Sequence, residues 1–183
     1  VNREQLSHVL RAASRVADDP DIIVIGSQAI LGSFSDADLP IEATRSMEAD
    51  LAFRNDIDER KSDLVDGSIG ELSSFHETFG YYAQGVSLTT AVVPSGWADR
   101  LVAYMEADSA PSRATCLEPH DLVVSKLVAG RLKDIEFVKA MLGANLISAN
   151  LLVERAEMLE VPRAVITRVR STISRLLASP DRT

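Results

Sequence analysis

The chain has 183 residues, with 27 acidic and 19 basic side chains and a formal net charge of −8. That length accommodates one core, or a small α/β unit with a helical extension, and the acid excess excludes non-specific nucleic-acid binding over the whole surface, because phosphate contacts need clustered cations. Cys116 is the single cysteine, so no internal disulfide forms; with no secretory leader pattern and no membrane-length apolar run, the expected location is the cytoplasm, with no membrane partner.

In chain order, Arg3 to Ala17 reads as an amphipathic helix, with Leu6, Val9, Leu10, Ala13 and Val16 at helical spacing and Asp18-Asp19-Pro20 ending it. His8 shares no metal-ligand spacing with another His, Cys or carboxylate and is expected as a surface or boundary residue. Next, the β-branched run Ile22-Ile23-Val24-Ile25 stops at Gly26-Ser27-Gln28, and Ala29, Ile30 and Leu31 are good helix formers. This is strand, tight turn, short helix, and the turn offers the backbone N–H groups of Gly26 and Ser27 to a phosphate.

Ser33 to Arg45 is turn-rich and reads as a loop. Within it, Arg45 either meets a triphosphate or neutralises Glu42 or Asp50. From Met47 to Phe53 the residues alternate, so a strand places Met47, Ala49, Leu51 and Phe53 on one face and Glu48 and Asp50 on the other. Two neighbouring carboxylates repel until a divalent cation sits between them. Hard oxygen donors suit Mg2+ (or Mn2+), which also binds substrate phosphates.

Asp56 to Leu72 reads as a surface helix broken near Gly67 and Gly70, and Phe79 to Val93 as one or two strands stopped by Pro94-Ser95-Gly96. Trp97 to Glu106 is expected to hold a further strand, with Arg100 available to a phosphate, and Arg113 to Leu117 another. Pro119-His120-Asp121 opens the clearest helix, along which Val124, Leu127, Val128, Ile135 and Val138 form one stripe, with Lys126 and Lys133 roughly opposite. Ala149 to Leu159 and Pro162 to Leu177 are two more helices. The second carries Arg163, Arg168, Arg170 and Arg175, which either guide an RNA backbone, seat an acidic partner or form a solvated face. Ser179 to Thr183 reads as a frayed tail.

Gly26-Ser27 followed by a strand with Glu48-Ala49-Asp50 resembles the signature of the DNA polymerase β-like nucleotidyltransferase superfamily. The wording GSQAILGSF, RSMEADLAF and HDLVVSKLVAGRLKD is similar to the toxin halves of AbiE-like and Men-type bacterial toxin–antitoxin pairs. The resemblance runs from about Asp21 to about Leu142. It implies an α/β (α+β) fold, with a nucleotidyltransferase-like mixed sheet flanked by helices over residues 1–117 and a helical C-terminal region over 118–183 packed on it. It also implies transfer of a nucleotide from a nucleoside triphosphate to an RNA acceptor, the tRNA 3′ end, under control of an antitoxin.

The roles carried over are Glu48 and Asp50 as metal-binding catalytic acids and Lys126 on the phosphates. Asp134 joins the active site, with Arg131 and Arg45 beside the nucleotide. Ser27, Thr44 and Ser46 lie next to these groups, and a phosphate on any of them would repel an incoming triphosphate, similar to a silencing mode attributed to Men-type pairs, with simple occlusion by a bound partner as the alternative. The chain departs from the superfamily pattern in three ways: Glu48 stands where Asp is commoner, the link from Ser27 to Glu48 is longer, and GYYAQGVSLTTAVV holds no acid to complete a triad. A catalytically degenerate binding module, or an enzyme acting on a protein or small molecule, therefore stands as the alternative.

Overall fold

The first helix begins where its cap requires. The Asn2 side chain accepts a hydrogen bond from the Gln5 N–H at 2.9 Å and the Gln5 side chain accepts one from the Asn2 N–H, satisfying two donors that a helix start leaves unpaired. The computed structural model describes residues 1–178, so the expectation for Ser179 to Thr183 lies outside the described residues. Helix α1 (Arg3–Val16) buries Leu6, Val9, Leu10 and Ala13. Strand β1 (Ile22–Val24) follows, then a 3-10 turn over Ser27–Gly32, the single helical turn α2 (Ile41–Thr44) and β2 (Glu48–Phe53).

Helices α3 (Arg60–Ile69) and α4 (Ser74–Phe79) lead to β3 (Tyr82–Gly85). Two short strands, β4 (Val102–Ala103) and β5 (Thr115–Cys116), complete the sheet. The remainder is helical: α5 (Pro119–Ala129), α6 (Leu132–Gly143), α7 (Ala149–Glu157) and α8 (Arg163–Ala178).

The five strands lie in the order β3-β2-β1-β5-β4. β1 runs antiparallel to β2 and parallel to β5, β2 parallel to β3, and β4 antiparallel to β5, which makes the sheet mixed. All of β1 is buried, as a central strand covered on both faces should be. α1 packs against α3, and α3 against β2 and β3; the 27–32 turn packs against β5 and α5, and α5 in turn against α6, α7 and α8. One apolar cluster includes Leu10, Ile23 and Leu51 together with Leu122, Val138, Leu152 and Ile173, so a common core spans position 117.

Several local expectations change. The strand expected over Phe79 to Val93 is confined to Tyr82–Gly85, because Ser73 caps a helix that takes Phe79. Gly67 does not break α3, which continues to Ile69. Phe75, Phe79 and Tyr81 form a ring cluster around His8, whose Nδ1 is 2.8 Å from the Tyr81 hydroxyl, which makes both aromatics and histidine packing residues. Trp97 to Glu106 supplies only the two residues of β4, and Arg100 is not available to a phosphate: its guanidinium grips buried Asp121 at 2.8 and 3.1 Å.

The most consequential change is at Gly130. The helix opened by Pro119 does not run through it: Gly130 adopts φ +65°, its N–H donates to the Lys126 carbonyl at 2.8 Å, and a new helix starts two residues later. Breaking the helix there removes the continuous stripe, and Lys126 is buried instead of opposite the core.

Candidate active site

The site forms where β1 ends against β2. Antiparallel pairing of Val24 with Leu51 is carried one step further by the Ile25 N–H, which donates to the Asp50 carbonyl at 3.1 Å, and the chain then turns away at Gly26. A Cβ at Gly26 would lie 1.6 Å from Asp50 Oδ2 and 2.8 Å from Asp50 Cβ. Gly26 has an ordinary φ of −86°, so glycine is required by the closeness of the aspartate and not by the backbone. Strand alternation puts Glu48 and Asp50, both half-buried, on the same face while Ala49 and Leu51 enter the core.

Helix α5 closes the other side. Leu122, Ser125, Lys126 and Ala129, at helical spacing, line a pocket of about 300 Å³ together with Gly26, Ser27, Glu48, Asp50, Gln84, Arg131 and Lys133. Lys126 Nζ donates to Ser27 Oγ at 2.8 Å and lies 3.3 Å from Asp134 Oδ1 and 4.7 Å from the centre of the Phe137 ring. Asp134 is fully buried and accepts from Arg131 Nε at 2.7 Å as well as from the Arg131 N–H, so it fixes both Lys126 and Arg131. It serves the site from behind and does not line the pocket.

Of the sequence-predicted residues, Gly26, Ser27, Glu48, Asp50, Lys126 and Arg131 therefore share one pocket, with Asp134 supporting it. Arg45 and Ser46 line a smaller adjoining cavity of about 170 Å³ whose walls also include Ser27, Lys126 and Lys133. Arg45 pairs with Glu136 at 2.8 Å, not with Glu42 or Asp50. Ser46 Oγ accepts from the Glu48 N–H at 3.3 Å, and half-buried Thr44 lines neither space. The α8 arginines are partly engaged: Arg163 and Arg170 both pair with Glu157, and Arg168 donates to the Val128 carbonyl.

Two pocket residues escape the sequence reading. Lys133, placed there on a solvated face, has its Nζ 3.3 Å from Glu48 Oε1. Gln84 is the register partner of Asp50 in the parallel β2–β3 pair and stands where an acid from the third strand would face the other two. Both depend on pairings remote in sequence; the Gly130 stop was the one local sign that Lys133 starts a second helix.

The charges explain the shifts in proton affinity. Asp50 is raised above the usual carboxylate range by burial and then by Glu48, against the nearby cations Lys126, Lys133 and Arg131. For Lys126, burial lowers the value in spite of Asp134 and Asp50. Burial also works to raise Asp134, but the Arg131 hydrogen bond and the charges of Lys126 and Arg131 outweigh it and hold the carboxyl low. The Tyr82 hydroxyl, which donates to Glu48 Oε2 at 3.3 Å, is pushed up to about 12 by burial and by Glu48.

Among the described residues no group of three or more His, Cys, Asp or Glu side chains is placed to hold a metal ion. Glu48 and Asp50 nonetheless fit a magnesium-type ion, which keeps several waters and takes one or two carboxylates plus substrate phosphates. Both carboxylates face the pocket, and no hydrogen-bond donor among the described residues engages that of Asp50.

The family model described as "Nucleotidyltransferase of unknown function (DUF6036)" matches residues 4–171. No curated protein and no solved structure matches the chain.

Proposed function

The chain belongs to this nucleotidyltransferase family, and from that premise we propose that it transfers a nucleotidyl group from a nucleoside triphosphate to a hydroxyl acceptor, with Mg2+ or Mn2+ held by Glu48 and Asp50. The observation that carries the reading is the meeting of Gly26, Ser27, both acids and Lys126 in one pocket, with glycine demanded at position 26 by the approach of Asp50. The ion would stabilise charge developing on the α-phosphate and on the departing pyrophosphate.

The acceptor oxygen bonds to the α-phosphorus as the bond to the β-phosphate oxygen breaks; pyrophosphate leaves and the hydroxyl proton passes to solvent. Lys126, fixed by Ser27 and Asp134, offers a preorganised ammonium to the phosphates, and Arg131, held by Asp134 at the mouth, a second cation. The N–H groups of the Gly26-Ser27 turn add donors.

In the finer reading the acceptor is RNA, the tRNA 3′ end, and the protein is a toxin restrained by an antitoxin in the cytoplasm. The similarity of residues 26–34, 45–53 and 120–134 to AbiE-like and Men-type toxins supports it. Phosphorylation of Ser27 would replace the hydroxyl that Lys126 contacts with an anion, and Ser46 is placed to act on the adjoining cavity. One observation favours a second reading, a binding module without turnover: Gln84, not an acid, faces Asp50.

Incubation with α-labelled nucleoside triphosphates, magnesium and total RNA separates the two. Label retained on RNA after denaturation is expected; bound nucleotide without transfer to RNA, protein or small molecule identifies the module. Mass spectrometry of the protein co-expressed with its neighbouring gene tests the control: a silenced sample with Ser27, Thr44 and Ser46 unmodified rules phosphorylation out.

A further inference from the structure

Three cations line the main pocket, and they are not equivalent. Lys126 and Arg131 are both committed to buried Asp134, and the Lys126 side chain is only 10 % exposed. Lys133 projects from the first turn of α6 with its side chain 58 % exposed, and its partner is Glu48, one of the two acids at the centre of the site. A long, exposed side chain in a 3.3 Å pair is weakly held, because solvent screens the attraction and the chain gives up rotamer freedom to keep it. Lys133 also lines the smaller cavity beyond Ser27, where Arg45 and Ser46 stand, so its ammonium has a second place to go without leaving the protein surface.

We propose that Lys133 is the resident counter-cation of the Glu48–Asp50 pair, that a divalent metal displaces it, and that the displaced ammonium turns into the adjoining cavity to hold a terminal phosphate of the incoming nucleotide. The inference rests on the reading of Glu48 and Asp50 as a metal site. Its physical basis is competition for one carboxylate: with Lys133 on Glu48 the acid pair tolerates its like charges without an ion, and an arriving ion must outbid one exposed ion pair. Once freed, the ammonium joins Arg45, which is paired with Glu136 at 2.8 Å, as a second cation not tied to Asp134, and it offsets the Glu42 carboxylate on the wall of the same cavity. Lys133 thereby opposes metal binding in the empty protein and favours polyphosphate binding in the metal-loaded one.

Metal-free wild type, Lys133→Gln and Glu48→Gln are titrated with Mn2+ alone, the free ion being followed by electron paramagnetic resonance, and then with inorganic triphosphate at saturating Mn2+ by calorimetry. Loss of an exposed pair corresponds to about a two- to fivefold change, so Lys133→Gln is expected to bind Mn2+ about two- to fivefold more tightly and triphosphate more weakly. Glu48→Gln loses the Mn2+ site. Opposite movement of the two affinities is the result expected of a lysine that leaves Glu48 for a phosphate. Equal or weaker Mn2+ binding by Lys133→Gln, with Glu48→Gln still abolishing it, overturns the role of Lys133 alone. Mn2+ binding that Glu48→Gln leaves intact, or none in wild type, overturns the metal reading and this inference with it.

Discussion

Gly26→Ala tests the geometry of the site at the point where the structure leaves no room. The new methyl would fall 1.6 Å from Asp50 Oδ2, 2.5 Å from Cγ and 2.8 Å from Cβ, whereas relaxed carbon contacts lie at about 3.5–4.0 Å. Rotating the carboxylate relieves the nearest clash but not that with Cβ, so Asp50 must swing away and the two chains must part slightly. The φ of −86° is open to alanine, which favours folding by about 0.4–1 kcal/mol through the unfolded chain, while overpacking costs about 1–3 kcal/mol. The net loss is about 0–2.6 kcal/mol, within reach of a well-folded protein. Catalysis is far less tolerant: misplacing a reacting group by about 1 Å costs on the order of 10²-fold. Circular dichroism melting, Mn2+ titration and transfer of α-labelled nucleotide are the assays. The expected outcome is a folded protein with weakened Mn2+ binding and transfer down about a hundredfold; wild-type Mn2+ affinity and turnover in a folded Gly26→Ala would refute the placement of Asp50 in the site.

The remaining predictions concern the acids and their cations. Asp50→Asn should abolish transfer and leave the fold intact. Because the folded state raises the Asp50 value, the folded protein binds more protons than the unfolded chain, and the aspartate's penalty grows as pH rises from the unfolded value through the folded one. Metal-free Asp50→Asn should accordingly melt higher than wild type at neutral pH, with the gap closing in acid; an Asn variant that melts lower at neutral pH counts against it. Lys126→Ala should cut transfer by on the order of 10²- to 10³-fold, the usual cost of losing one transition-state contact, and Lys126→Arg should restore only part, since a planar guanidinium cannot replace an ammonium fitted between Ser27 and Asp134. Wild-type kinetics in Lys126→Ala would remove this residue from the reaction. Tyr82 should ionise only near pH about 12, visible by ultraviolet titration as a late phase that Tyr82→Phe deletes; its absence in wild type would mean that the phenol is not held in this buried position beside Glu48.

What the sequence determined by itself is whatever rests on neighbours in the chain. Alternation from Met47 to Phe53 decides that Glu48 and Asp50 share a face, and the β-branched run before Gly26 decides that a buried strand ends there, because periods of two and apolar runs are local properties. The Asn2 cap and the Pro119 helix start are equally local. The similarity in wording brought Lys126, Asp134 and Arg131 into the list of site residues, but periodicity alone placed Lys126 on solvent. Tertiary structure decided the rest: after the local stop at Gly130, α6 packs back so that Asp134 reaches Lys126, β3 pairs in parallel so that Gln84 faces Asp50, and Lys133 meets Glu48 across 85 positions. Arg100 went to Asp121 for the same reason, whereas Phe79 went to a helix that its neighbours Ser73 and Gly80 cap, a local sign that the strand expectation passed over. A buried carboxylate must find its cation wherever the chain brings one, and strand partners are chosen by the sheet, so neither is written in the spacing of adjacent residues.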